Sequence, residues 1–143
     1  MKYDYFIASR WRNKTSVEEL TQKIRSKGKS IYSFIEGDGS NHTLKDAERN
    51  TPPEEFMEKF EKINNWKNDN AVKEIFEMDM RALREASNFI LLLPAGKSSH
   101  IEAGAAYGLQ KKCILIGEQK ETESLYFIFN EFYSSIDEFI EKI

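Results

Sequence analysis

The chain has 143 residues, of which 40% are hydrophobic and 31% charged, and its formal net charge is −3 at pH 7. This length and composition are typical of one globular domain, so we expect a single domain over residues 1–143. The acidic balance disfavours a general nucleic-acid binder, and no apolar run approaches the roughly 20 residues of a membrane span. We therefore expect neither a nucleic acid nor a membrane as a partner.

Cysteine and histidine usage predicts the compartment and the absence of a metal site. The single cysteine, Cys113, excludes an internal disulfide and is typical of a reducing cytoplasm. The N-terminus enters an apolar strand pattern directly and lacks the layout of a signal peptide. The two histidines, His42 and His100, have no ligand-like spacing. We expect a cytoplasmic protein without a bound metal or cofactor.

The first part of the chain predicts strand, loop, helix, strand and turn. The corresponding ranges are Tyr3–Ala8, Ser9–Asn13, a helix from Ser16 to near Gly28, Ser30–Ile35 and Gly37–Ser40. Ser16 and Glu19 form a capping-box pattern at the start of that helix. The polar segment Asn41–Asn50 predicts a mobile loop.

The remainder of the chain continues the alternation of helices and strands. A helix begins near Thr51, with Pro53 close to its first position. The later elements are a helix carrying Asp79, the strand Asn88–Leu93, the loop Pro94–Ser99, a helix carrying Glu102, strands at Lys112–Gly117 and Glu131–Ser134, and a closing helix at Ile136–Ile143. No internal repeat or linker interrupts this order.

Alternating strands and helices predict an α/β fold with right-handed crossovers between parallel strands. We expect a flavodoxin-like or Rossmann-like three-layer sandwich with a five-stranded, mostly parallel sheet. No GxGxxG follows the first strand, which disfavours a complete dinucleotide-binding domain. The loops Ser9–Asn13, Gly37–Ser40 and Ala95–Ser99 should then meet at one edge of the sheet.

Two carboxylates lie where packing alone would not place them. Asp79 falls on the apolar stripe of its helix, which we expect to include Val72, Ile75, Phe76, Leu83 and Ala86. Glu102 follows a strand and its loop, where ligands bind in open α/β sheets. Two acids that converge there suggest glycosidic-bond chemistry, in which one carboxylate can act as nucleophile.

Both acids also have a purely structural interpretation. Ser99 and Glu102 have the spacing of a capping box, so Glu102 can serve only to cap its helix. A position in the first turn would also favour the ionised carboxylate, which a nucleophile requires. Asp79 can face a water-filled gap or pair with Arg81 or Arg84.

Two loops supply candidate binding residues. We assign substrate or phosphate binding to Ser9, Arg10, Trp11, Gly96, Ser98 and Ser99. Small residues, hydroxyls and free amides at a helix start can hold a phosphate, arginine can bind it, and tryptophan can stack on a base. An ordinary turn and a solvated loop with one half-buried aromatic are the alternatives. His100 can be a pH-active neighbour of Glu102, although a lone histidine is more often structural.

One run of motifs resembles a known family. The run consists of Asp79-x-x-Ala82-Leu83-x-x-Ala86, an apolar strand, a Gly/Ser loop and Glu102-Ala103-Gly104-Ala105-Ala106. It resembles the nucleoside 2-deoxyribosyltransferase family and its relatives, the 2'-deoxynucleoside 5'-monophosphate N-glycosidases. Agreement is looser over 3–34 and 112–117, and the segment 41–70 matches nothing in that family.

The resemblance implies an enzyme that cleaves the N-glycosidic bond of a nucleoside or its 5'-monophosphate. It implies Glu102 as nucleophile at C1' and Asp79 as the second acid. Deoxyribosyltransferases carry a further aspartate before the glutamate, where this chain has Gly96–Ser99. A serine-rich loop is more similar to the nucleotide hydrolases, whose hydroxyls receive the 5'-phosphate. The alternatives are a non-catalytic nucleotide-binding module and a TIR-like NAD hydrolase.

The resemblance and the composition of the last quarter together predict assembly. Aromatic and aliphatic residues crowd Leu125–Phe129 and recur at Phe132 and Tyr133. A small domain has little room to bury so much apolar surface. We therefore expect a homodimer or a higher homo-oligomer.

Overall fold

The computed structural model describes residues 1–37 and 51–143. Its strands are β1 (Tyr3–Ala8), β2 (Ile31–Ser33), β3 (Ala86–Leu92), β4 (Lys112–Ile116) and β5 (Glu131–Tyr133). Its α-helices in those ranges are α1 (Lys14–Ser26), α2 (Pro53–Glu61), α3 (Asn70–Arg84), α4 (Lys97–Gly108) and α5 (Ile136–Lys142). Short 3-10 turns cover Trp11–Asn13, Trp66–Asn68 and Ser124–Ile128.

The described strands form one five-stranded sheet in the order β2-β1-β3-β4-β5, and every pairing in it is parallel. This is the flavodoxin-like order, so the predicted fold class is confirmed. The register aligns Phe6 with Tyr32 on one side and with Phe89 on the other. Because the strands are parallel, the loops that follow β1, β3 and β4 emerge at the same edge.

Alternation along the strands divides the core between the two faces of the sheet. In β1, Tyr5 and Ile7 point to the face covered by α1 and α5, whereas Phe6 and Ala8 point to the face covered by α3 and α4. Residues of β3 and β4 are buried on both faces, as expected for the centre of a parallel sheet. The result is the three-layer sandwich that the sequence predicts.

The first helix and the second strand differ from their predicted bounds. The 3-10 turn Trp11–Asn13 runs directly into α1, which therefore begins at Lys14, and Ser16 lies inside its first turn. The predicted Ser16 capping box is wrong for this reason. Strand β2 ends early because the amides of Glu36 and Gly37 donate to the Ser33 carbonyl at 3.1 and 2.9 Å. Asp38–Ser40 and Asn41–Asn50 lie outside the described residues.

Helix α3 does not bury the whole stripe that the sequence suggests. Its buried residues are Met78, Ala82 and Leu83, whereas the Phe76 side chain is 62% exposed. Ala86 belongs to β3, since the helix ends at Arg84. The prediction for Phe76 and Ala86 is wrong, because the helix ends before Ala86 and turns Phe76 toward solvent.

Several large apolar side chains near the C-terminus face outward. Leu125, Phe127 and Phe132 are 73%, 90% and 57% exposed. The predicted homo-oligomer stays a prediction. Within residues 1–37 and 51–143, no helix combines the length and apolar character needed to cross a bilayer.

Candidate active site

A cavity of about 410 Å³ opens at the edge where β1 and β3 end. Every residue that the sequence assigned to the site lines it, namely Ser9, Arg10, Trp11, Asp79, Gly96, Ser98, Ser99 and Glu102. The cavity is further lined by Arg12, Phe34, Phe56, Met57, Phe60, Glu61, Ile75, Met78 and Lys97. The structure therefore brings both loops and both acids to one place.

Glu102 does not cap its helix. Helix α4 begins at Lys97 with Gly96 as its N-cap, which places Glu102 in the second turn. Ser99 occupies the third helical position instead, where its hydroxyl accepts from the Gly96 amide at 3.0 Å and donates to the Gly96 carbonyl at 3.1 Å. The capping interpretation of Glu102 is wrong, and its carboxyl faces the cavity.

The surroundings of Glu102 favour its neutral form. Burial and, to a smaller extent, the negative charge of Asp79 together raise the pKa of the Glu102 carboxyl to about 8. A helix N-terminus stabilises a carboxylate mainly within the first turn, and Glu102 lies in the second turn. The expectation of an ionised Glu102 is therefore wrong for the free protein, in which this carboxyl holds a proton at neutral pH.

Asp79 is held by a hydrogen bond from a residue of β2. The Tyr32 hydroxyl donates a hydrogen bond of 2.7 Å to Oδ1 of Asp79, although the two residues lie 47 positions apart in the chain. Tyr32 is 1% exposed, whereas Asp79 is only partly buried. A hydrogen bond from a neutral donor stabilises the ionised carboxylate. Asp79 thus lies on an apolar helix without the full cost of burying an unpartnered charge.

The first loop is fastened to the end of β3. The Ser9 hydroxyl, which is 8% exposed, donates to the Leu92 carbonyl at 2.8 Å and contacts the Pro94 carbonyl at 3.2 Å. The Asn13 amide group donates to the same hydroxyl at 3.1 Å. Ser9 therefore holds the loop against the strand end, a contact that the sequence did not predict.

Trp11 belongs mainly to the hydrophobic core, although it also lines part of the cavity. It is 8% exposed, and its ring stacks on Phe56 with centroids 4.3 Å apart. One face of the indole is therefore already covered. Its Nε1 is buried and has no hydrogen-bond partner within residues 1–37 and 51–143. The predicted stacking of Trp11 on a base is limited to contacts at its remaining exposed edge.

The two loop arginines differ in what they contact. The guanidinium of Arg12 pairs with Glu54 at 2.8 Å and with Glu61 at 3.1 Å, which fastens α2 to the first loop. Arg10 is exposed and makes no ion pair or side-chain hydrogen bond with the residues that the structure describes. The Arg10 Cβ lies 3.9 Å from the place where a Cβ on Gly96 would sit. Of the two, Arg10 is the cation available beside the start of α4.

His100 is directed away from Glu102. Its Nδ1 lies 2.7 Å from the Gly96 carbonyl, and its Nε2 lies 2.8 Å from the Tyr126 hydroxyl. The carbonyl can only accept, so Nδ1 donates to it and Nε2 accepts from Tyr126 in the neutral ring. These contacts join α4 to the 3-10 turn Ser124–Ile128. They agree with the structural interpretation of His100.

An apolar wall completes the lining of the cavity. It is formed by Phe34, Phe56, Met57, Phe60, Ile75 and Met78. Helix α2 buries none of its residues fully, so its apolar side remains at the surface of this wall. Phe56 and Phe60 lie four residues apart in the sequence, but this helical spacing identifies no long-range partner for them. Tyr32 was missed for a similar reason, since only the sheet brings it to Asp79.

A larger cleft of about 530 Å³ lies beyond β4 and β5, and it contains none of the predicted site residues. Its lining is aromatic and acidic, with Glu118, Glu121, Glu123 and Glu138 all exposed. In the part of the chain that the structure describes, no group of three or more His, Cys, Asp or Glu side chains is placed to hold a metal ion.

The fold is shared with enzymes that act on nucleosides and nucleotides. A CMP N-glycosidase from Clostridium botulinum matches with a TM-score of 0.56 at 20% identity, covering 96% of each chain. A 2-deoxyribosyltransferase from Bacillus psychrosaccharolyticus matches with a TM-score of 0.65 at 14% identity, covering 95% of this chain and 89% of that one. No family model and no curated sequence matches the chain. These likenesses establish a common fold.

Proposed function

We propose that the chain is an N-glycosidase that hydrolyses a nucleoside 5'-monophosphate, or its nucleoside, with Glu102 as nucleophile and Asp79 as proton carrier. The observation that carries this proposal is the carboxyl pair: Glu102 and Asp79 line one cavity, and the charge of one raises the pKa of the other. A pair that shares one proton can supply both a nucleophile and an acid.

The first half of the reaction uses the proton of the pair. Glu102 transfers its proton to Asp79, and a Glu102 oxygen then attacks C1' of the sugar to form an ester bond. The C1'–N bond breaks, its electron pair remains on the base nitrogen, and that nitrogen takes the proton from Asp79. Positive charge shared between C1' and the ring oxygen is stabilised by the carboxylate as it approaches.

The second half of the reaction restores the enzyme. A water oxygen attacks C1', the ester bond breaks, and its electron pair returns to Glu102. The proton released by water returns to the carboxyl pair. A second base in place of water would give transfer instead of hydrolysis. The loop Gly96–Ser99, which carries no aspartate, favours hydrolysis in this proposal.

The rest of the cavity suits the other two parts of a nucleotide. The start of α4, with Ser98 exposed and Arg10 beside Gly96, offers hydroxyl, amide and guanidinium donors to a 5'-phosphate. The apolar wall that includes Phe34, Phe56 and Phe60 suits a flat base. The shared fold with a CMP N-glycosidase supports a nucleotide as substrate class.

The test is a panel of ribo- and deoxynucleosides, their 5'-monophosphates including CMP, and NAD, with free base measured by chromatography. We expect base release from a monophosphate by the wild type and by Glu77→Gln, an exposed control on α3 outside the cavity. Release of nicotinamide from NAD alone would favour the TIR-like alternative. Tight binding without release of any base would favour the binding module.

A further inference from the structure

The hydroxyl of Tyr32 is fixed in place by the sheet and the core. Tyr32 pairs with Phe6 across β1 and β2, and its ring stacks on that of Phe6 with centroids 5.2 Å apart. The ring of Tyr3 packs edge-on against it at 5.6 Å. With 1% of its surface exposed, Tyr32 has little freedom to change rotamer. Its hydroxyl therefore presents a donor to Asp79 at a constant position.

Tyr32 is not among the residues that line the cavity, but its hydroxyl contacts Asp79, which does line it. Its hydrogen bond of 2.7 Å engages Oδ1 of Asp79. Fixing one oxygen orients the carboxylate plane. A donor of this kind also favours the charged form of the acid that it contacts.

The charged groups around the pair come from several elements. Asp79 on α3 meets Tyr32 from β2 and Glu102 from α4. Arg10, Arg12, Glu61 and Lys97 also line the cavity, and Arg12 is paired with Glu61 at 3.1 Å. Among these neighbours, Asp79 is the charge that acts on Glu102. A change in the charge state of Asp79 is therefore transmitted directly to Glu102.

We propose that Tyr32 is a positioning residue that fixes Oδ1 of Asp79 and thereby assigns the single proton of the carboxyl pair to Glu102. This inference rests on the proposed function for its catalytic meaning. The assignment matters because the reaction begins with the proton on Glu102 and the charge on Asp79. Loss of the Tyr32 hydroxyl removes a contact that favours ionised Asp79, so Asp79 then competes more strongly for that proton.

The direct test compares Tyr32→Phe with the matched control Tyr3→Phe. Tyr3 lies in the same aromatic cluster, but its hydroxyl makes no hydrogen bond with the described residues. Carboxyl ¹³C NMR follows the titration of Asp79 and Glu102 in each protein. In Tyr32→Phe we expect the midpoint of Asp79 to rise by about one to two pH units. Tyr3→Phe should leave both midpoints unchanged.

The rate of base release supplies a second readout. The pair must hold one proton to react, so the acid limb of the pH profile of kcat reports the titration of Asp79. In Tyr32→Phe this limb should move upward by the same one to two units, with little change in KM. A residue that only filled space would lower kcat at every pH without moving the limb.

The two readouts separate failure of this inference from failure of the proposed function. If the wild type releases no base, the proposed function is wrong, while the NMR titration still decides the role of Tyr32. If both carboxyl midpoints are the same in wild type and Tyr32→Phe, the inference about Tyr32 is overturned.

Should Tyr32→Phe fail to fold, wild-type protein labelled with ¹³Cζ tyrosine decides the question. The Tyr32 resonance should shift at the pH where Asp79 titrates, and the Tyr3 resonance should not. If the Tyr32 chemical shift does not change over the pH range in which Asp79 titrates, the inference is overturned.

Discussion

Two of the cavities lined by the described residues show that the number of acids does not determine where a carboxyl of raised pKa lies. The larger cleft, of about 530 Å³, is lined by four glutamates, all of them exposed. One of them, Glu138, has its pKa lowered by hydrogen bonds from the Ser134 hydroxyl and amide. The smaller cavity, of about 410 Å³, contains Glu102, whose pKa rises to about 8. Burial and one neighbouring charge, not acid count, distinguish the two.

Removing one carboxyl from each cavity gives the largest expected contrast. Glu102→Gln removes the proposed nucleophile, and base release should fall by about 10³-fold or more. Glu138→Gln, in the larger cleft, should release base at the wild-type rate. Chromatography of free base under saturating substrate measures both variants. Equal rates for Glu102→Gln and wild type would remove Glu102 from the mechanism.

A direct chemical check accompanies this variant. A slow substrate analogue fluorinated at C2' should leave a sugar ester on the peptide that contains Glu102. Mass spectrometry after proteolysis locates that adduct. An adduct on a peptide from the larger cleft, which contains Glu118 and Glu138, would place the nucleophile there and not at Glu102.

The stability of the protein should also depend on Glu102 in a defined pH window. In the folded state the Glu102 pKa is about 8, against 4.5 as its ordinary value. Between these values the folded state holds a proton that the unfolded state has released, so stability falls as pH rises from about 4.5 to about 8. A neutral glutamine avoids this loss.

Glu102→Gln should therefore match wild type near pH 4 and exceed it increasingly as pH rises, by up to about 5 kcal/mol at pH 9 in the free energy of unfolding. Urea denaturation at a series of pH values measures this difference. Glu77→Gln, exposed on α3, controls for the loss of one negative charge. A difference between Glu102→Gln and wild type that stays constant with pH would contradict a Glu102 carboxyl that holds a proton at neutral pH.

The sequence revealed the acids of the site because each departs from a local pattern. Asp79 interrupts an apolar helix stripe, and Glu102 follows a strand end, so both could be predicted without long-range information. The fold class followed in the same way from the alternation of strands and helices. The helix boundary at Gly96 could not be predicted. Ser99 and Glu102 have the spacing of a capping box, whereas in the structure Gly96 and Ser99 form the box, three residues earlier.

What the sequence could not predict depends on contacts across the sheet. The hydrogen bond from Tyr32 to Asp79 joins residues 47 positions apart, and no local pattern encodes it. The wall formed by α2 depends on the stacking of Phe56 on Trp11 and on the ion pairs of Arg12. The local signal for this wall was the apolar side of α2, for which the sequence predicts no partner. Such a helix indicates a missing neighbour without identifying it.

The proposed phosphate contact predicts a smaller and more selective effect. Ser98→Ala should lower the preference for CMP over cytidine in kcat/KM by about tenfold or more, because a hydrogen bond to a charged group is lost. The rate on cytidine itself should change little. Ser87→Ala, exposed at the opposite end of β3, is the matched control. An unchanged preference in Ser98→Ala would remove Ser98 from phosphate binding.

The smallest expected effect concerns the apolar wall of the smaller cavity, which lies in the same cavity as the carboxyl pair. Phe60 lines the smaller cavity and lies over Phe56 with ring centroids 6.2 Å apart. Phe60→Leu keeps an apolar side chain but removes a flat face, and aromatic pairs contribute about 0.5–1.5 kcal/mol beyond burial.

KM for the nucleotide should therefore rise about two- to tenfold in Phe60→Leu, with kcat nearly unchanged, since the wall binds the base equally before and during the reaction. Phe76→Leu, on α3 with its side chain 62% exposed and outside the cavity, is the control. Steady-state kinetics on CMP and on a purine monophosphate measures whether the loss depends on base size. A fall in kcat without a rise in KM would place Phe60 in the positioning of the acids and not in binding the base.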